Sequence, residues 1–111
     1  MLKTQDVHVV VRGDVAPRKR RFAQECVAKV TRYVADPVLF ARVTLTTAAN
    51  PAQESPAVAR AVLDLNGHVL RAATAAPSMH EAIKQLHDGL RHQVEHLADR
   101  RVAERRRGRP Q

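Results

Sequence analysis

The amino-acid sequence predicts an α+β domain of β-α-β-β-β-α order, a two-layer sandwich in which a four-stranded mixed sheet carries both helices on one face. Three observations lead to it. Apolar residues alternate with a period of two in four segments. They recur at helical spacing in two others, and Asn66-Gly67 sits between the last two alternating runs, where it favours a two-residue hairpin turn. The 111 residues are the length of one ordinary domain, and 44% hydrophobic residues with only Phe22, Tyr33 and Phe40 as aromatics imply a core of Val, Leu, Ala and Ile.

The first strand is read in DVHVVVRGD, where Val7, Val9 and Val11 alternate with His8, Val10 and Arg12 until Gly13 ends the run. From Pro17 the period changes. Phe22, Cys26 or Val27, Val30 and Val34 make an apolar stripe beside a second stripe of Arg18, Arg21, Glu25, Lys29 and Arg32, and this helix is expected to stop before Asp36-Pro37. LFARVTLTT supplies the second strand, with Ala41, Val43 and Leu45 opposed to Arg42, Thr44 and Thr46, and NPAQESP reads as a polar loop. A type I′ turn at Asn66-Gly67 pairs Leu65 with His68, Leu63 with Leu70 and Ala61 with Ala72, which sends Arg60, Asp64 and Arg71 to the other face.

Ser78 followed by Glu81 is a capping-box pattern that starts the last helix, and Ile83, Leu86, Leu90, Val94 and Leu97 form its buried seam. The domain is expected to span 6–101, and residues 102–111, which lose apolar periodicity, to form a basic tail passing from frayed helix into disorder. A right-handed crossover through the first helix makes the first two strands parallel neighbours; the others join by hairpin connections.

Charge points to the partner. A formal net charge of +8 favours a polyanion, because each phosphate neutralised by Lys or Arg releases a counterion. Residues 12–32 carry seven cations against two carboxylates, and residues 100–109 six against one, a net of +5 in each. Residues 78–99 are different: Lys84 and Arg91 face Glu81, Asp88, Glu95 and Asp99, among four of the chain's six histidines. At 100° per residue His80, Lys84, His87 and Arg91 share one flank, the acids run down the middle, and His92 and His96 lie on the far flank. Histidine in free peptides titrates near pH 6.5, so this helix is expected to gain charge, and affinity for its polyanionic partner at fixed salt, between about pH 7.5 and 6.

Other chemistries lack their parts. His92 and His96 are spaced for two metal ligands on one helix face, but no HExxH or cysteine cluster supplies the rest, and no metal or other cofactor is expected. Histidines beside carboxylates would suit a ribonuclease, yet Asp88, His92 and Glu95 are also ordinary helix-stabilising neighbours and no nucleophile motif accompanies them, so no catalytic residue is assigned. The outward sheet positions hold His8, Arg12, Arg42, Thr44, Arg60 and Arg71, and base stacking is not expected there. No apolar run approaches the roughly 20 residues that span a bilayer, the N-terminus has no signal-peptide stretch, and the lone Cys26 fits a buried helix position in a reducing compartment; a cytoplasmic protein with no membrane partner and no small-molecule substrate is expected.

Particular residues narrow this further. HVLRAATAAPSMHEAIKQLHDGLRHQVEHL resembles the end of the ribosome hibernation promoting factor and ribosome-associated inhibitor (sigma modulation protein) family: a strand leads through a cap into an Ala-Ile helix start and a Leu-x-x-Gln centre. VHVVVRGDV is similar to the family's first strand and VAKVTRYV to its first helix, with Lys29, Arg32 and Tyr33 at that helix's usual Lys, basic and Tyr positions. The resemblance covers residues 6–101 and implies the same element order, in a layout similar to double-stranded RNA-binding domains. It also implies binding to the small ribosomal subunit and its rRNA in the messenger and transfer RNA channel, with inhibition of translation and preservation of idle ribosomes. Carried over by position, the rRNA contacts are Arg18, Arg21, Lys29 and Arg32 of the first helix, then Lys84, His87, Arg91, Arg100 and Arg101 of the last, with Arg105 added from the basic tail. The chain departs from the family where Gly89 and histidines replace common bases, Lys84 a usual Asp and His80 a usual Tyr. Long members carry a further C-terminal domain, so the chain corresponds to a short form or an N-terminal domain. A general structured-RNA-binding module and a histidine-dependent ribonuclease are the alternatives.

Overall fold

Four strands and two helices appear in the expected order: β1 (His8–Arg12), α1 (Pro17–Val30), β2 (Phe40–Thr47), β3 (Ala57–Leu65), β4 (His68–Ala76) and α2 (Met79–Arg107). This computed structural model describes residues 3–34, 37–48 and 54–107, with side chains through residue 97. The sheet order is β1-β2-β3-β4; β1 and β2 are parallel, and the other pairs antiparallel. The hairpin register matches the pairing inferred from Asn66-Gly67, Leu65 opposite His68 and Leu63 opposite Leu70. Both turn residues have positive φ, 54° and 98°, as type I′ demands, and the Gly67 N–H donates to Asp64 Oδ1 at 2.9 Å.

The alternation read from sequence sorts the sheet into two faces. Val43, Leu45, Ala59, Leu63 and Leu65 are buried under the helices with Val27, Val30, Ile83, Leu86 and Leu90. Polar side chains fasten the layers: Gln24 Nε2 donates to the Val7 carbonyl, Thr74 Oγ1 to that of Ala82 at 2.7 Å, and Gln93 Nε2 to that of Arg71. Gly13, at φ 89°, lets β1 end against β2, because a Cβ there would stand 2.6 Å from the Thr47 carbonyl oxygen.

Two helix ends have local causes. The first helix ends its α-helical turns at Val30 and tightens into a 3-10 turn, Thr31–Tyr33, with Thr31 Oγ1 donating to the Ala28 carbonyl; residues 35 and 36 lie outside the described ones. The last helix starts as expected, the Glu81 N–H donating to Ser78 Oγ, and is helical through Arg107. Val102 to Arg107 are mostly strong helix formers, and loss of an apolar stripe removes the reason for packing without removing helical propensity. Residues 108–111 of the expected tail are outside the described ones.

Candidate nucleic-acid interface

The two helices lie side by side and run in the same direction. Phe22 of α1 stacks on His80 of α2 with ring centroids 4.8 Å apart and planes 7° from parallel. Eleven residues further along both helices, the Arg91 guanidinium lies 5.0 Å above the Tyr33 ring. Equal spacing at the two ends means the helices keep in step, and the cleft is the surface seam where their facing sides meet.

Helical spacing then places the charges. On α1 and the 3-10 turn that continues it, Lys19, Phe22, Cys26 and Tyr33 point toward α2, Arg18 and Lys29 stand at the lip, and Arg21 and Arg32 lie on the outer crest. On α2, His80, Lys84, His87 and Arg91 face α1, which is the flank expected from sequence. Arg18, Arg21, Lys29, Arg32, Lys84 and Arg91 are all exposed, and His87 is half-buried. The expected contacts with described side chains therefore converge on one cleft and its α1 rim. Arg100, Arg101 and Arg105 continue the same helix, with side chains outside the described residues.

The acids of α2 shape the other rim. Arg91 Nε donates to Glu95 Oε1 at 3.1 Å, so this cation is held between a ring and a carboxylate. His87 Nδ1 is 3.5 Å from Asp88 Oδ1. On the floor, burial pushes the Cys26 thiol above its ordinary range; Lys29 opposes that shift, while Glu25 and Asp88 add to it. His92 and His96 are exposed on the flank away from α1, so any charge they carry lies outside the cleft. Among the described residues no three His, Cys, Asp or Glu side chains converge as a metal site would require. No helix among them is long and apolar enough to cross a membrane.

Lys19 is a cleft residue that the sequence reading passed over; its Nζ lies 3.3 Å from His80 Nδ1. Lys19 and Phe22 are three residues apart on the flank that ends in Tyr33, a pattern visible in the sequence once that flank is known to meet a partner. A second correction concerns the open sheet face, which does hold an aromatic: Phe40 stacks on His8, centroids 5.7 Å apart.

A family model described as Sigma 54 modulation protein / S30EA ribosomal protein matches residues 7–102, which spans every element from β1 into the last turns of α2. The chain belongs to that family. It is thereby one of a ribosome-associated group of modulation proteins. Solved structures agree on the fold. The Protein Y N-terminal domain from Thermus thermophilus superposes with a TM-score of 0.66 at 23% identity, over 81% of this chain and 94% of that one. A ribosomal subunit interface protein from Coxiella burnetii gives a TM-score of 0.62 at 15% identity, over 84% and 97%. Comparison with curated protein sequences returned no match.

Proposed function

We propose that this S30EA-family chain is a ribosome hibernation factor. It binds the small ribosomal subunit through rRNA in the channel for messenger and transfer RNA, blocks translation by occupancy, and preserves idle ribosomes in the cytoplasm of stressed or dormant cells. The observation that carries the reading is the seam between the helices: exposed cations of α1 and its 3-10 extension on one side, and the α1-facing cations of α2 on the other, border it. Such a surface suits phosphates held by shape rather than bases read by edge. The contacts assigned to it are Arg18, Arg21, Lys29, Arg32, Lys84, His87 and Arg91, extended along α2 by Arg100, Arg101 and Arg105. Acting by occupancy requires no catalytic group and no cofactor.

The test is sedimentation of the protein with purified small subunits, large subunits and bulk RNA at rising salt, with transfer RNA as competitor. Retention on small subunits and displacement by transfer RNA is the expected result. Equal spread over all three samples would instead mean a general RNA-binding module. RNA cleavage by the purified protein, abolished by His87→Ala, would mean a ribonuclease. Neutralising Arg105, Arg106 and Arg107 together should flatten the salt dependence of binding, since each lost phosphate contact lowers the slope by about one.

A further inference from the structure

The face of the sheet turned away from the helices has no part in the cleft, yet it carries four arginines. In register, β1 to β4 present three rows of outward residues. His8, Arg42, Val62 and Arg71 form one row, Val10, Thr44, Arg60 and Ala73 the next, and Arg12, Thr46, Val58 and Ala75 the third. Strand spacing and rise place the Cα atoms of Arg42, Arg60 and Arg71 at the corners of a triangle with sides of about 8 to 10 Å, with Arg12 about 12 Å from Arg60. All four are exposed, and among the described residues none is in an ion pair. Between them the side chains are short, so the arginines surround a shallow depression of about 710 Å³ floored by Thr44, Thr46, Val58 and Ala73.

Such a cluster is unusual in physical terms. Like charges on neighbouring sheet positions disfavour one another, and natural sheets commonly intersperse opposite charges. The carboxylate on this face, Asp64, lies beyond the rows beside Phe40 and already accepts the Gly67 N–H at 2.9 Å. Arginine forks match phosphate oxygens, and threonine hydroxyls donate to them as well. At the end of the first row the Arg42 guanidinium lies 5.8 Å from the Phe40 ring, which itself stacks on His8, so a flat conjugated edge adjoins the cations. An acidic protein segment would match the charge but would use neither the hydroxyl floor nor that edge as fully.

We propose that the open sheet face is a second RNA-binding surface, on which Arg12, Arg42, Arg60 and Arg71 hold the phosphate backbone of an RNA segment distinct from the one in the helix cleft. One domain then joins two RNA segments from opposite sides of a two-layer sandwich. The inference rests on the reading of the helix cleft as one RNA site, but not on the ribosome being the source of either RNA segment.

The experiment measures how many copies of a short RNA hairpin bind one full-length protein at saturating RNA and low salt, by sedimentation velocity. Two hairpins per protein are expected. Arg42→Gln/Arg60→Gln/Arg71→Gln should leave one, and the same three positions changed to Lys should restore two. A helix variant, Arg21→Gln/Lys29→Gln/Arg32→Gln, should also leave one, now on the sheet. One hairpin on the unaltered protein, or two on the triple Gln sheet variant, would overturn the proposal. So would tighter binding of a polyglutamate peptide than of the hairpin to the helix variant, which would make the occupant an acidic protein segment. If the triple Gln variant fails to fold, the single Arg60→Gln is used, and an unchanged salt slope for the helix variant carrying it would overturn the proposal equally. Failure to cosediment with small subunits, with two hairpins still bound, would sink the ribosomal reading and leave this one intact.

Discussion

The two helices pack in step along one sheet face, but they spend their charge differently. On α1 the exposed surface is dominated by cations, with Glu25 the lone acid of the helix. On α2, as far as residue 97, the lysine and arginine lie on the flank that meets α1, and Glu81, Asp88 and Glu95 run along the ridge beyond them. An RNA backbone meeting this face is therefore attracted by α1 and the cleft and repelled past the α2 ridge. The difference teaches that net charge alone is a poor guide here: between Ser78 and Asp99 the helix is formally negative and still contributes to a basic groove, because packing presents its cationic flank.

The largest expected effect attacks the basic helix. Arg21→Gln/Lys29→Gln/Arg32→Gln should weaken small-subunit binding roughly a hundredfold at low salt, at about 1 kcal/mol per lost contact. Equal binding by this variant would erase the distinction between the helices. Next comes the joint that keeps them in step. Phe22→Ala removes the half-buried ring stacked on His80 and should cost about 2 kcal/mol in denaturant unfolding, less than a fully buried Phe would. A loss below a few tenths would mean that the stack does not align the helices. Gly89→Ala works in the opposite direction: an added Cβ meets nothing within 4 Å, so the variant should gain up to about 1 kcal/mol from helix propensity.

Smaller still is the effect of the acid ridge. Asp88→Asn/Glu95→Gln removes repulsion and frees Arg91, and should raise affinity about threefold, in the direction opposite to the α1 variant. An unchanged or weaker affinity would show that the ridge does not steer RNA. The least effect concerns Cys26. Its thiol is raised above the ordinary range mainly by burial, so the unfolded chain ionises first as pH rises. Its contribution to stability is intact below the ordinary thiol range and is lost on climbing from there toward the folded value. Cys26→Ala should flatten that alkaline decline by a few tenths of a kcal/mol in thermal unfolding across pH.

What was legible in the sequence was what short-range physics controls. The alternation of Val7, Val9 and Val11, the seam from Ile83 to Leu97, and the Ser78 cap each speak through neighbours a few residues away, and they determined the element order. Asn66-Gly67 even set the register of β3 on β4, since one tight turn leaves no slack for another pairing. The charged flank of α2 was legible too, because helical spacing alone defines it.

Which neighbour that flank would meet was not a local matter. The stack of Phe22 on His80 joins residues far apart in the chain, and it exists only because two helices settled on one sheet at a particular rotation. The same holds for the sheet. The sequence by itself determined that Arg12, Arg42, Arg60 and Arg71 point away from the core; tertiary structure alone decided that they stand together, because strand register aligns residues that no spacing rule connects. Periodicity orients a side chain relative to its own element, whereas proximity between elements is decided by the packing of the core beneath them.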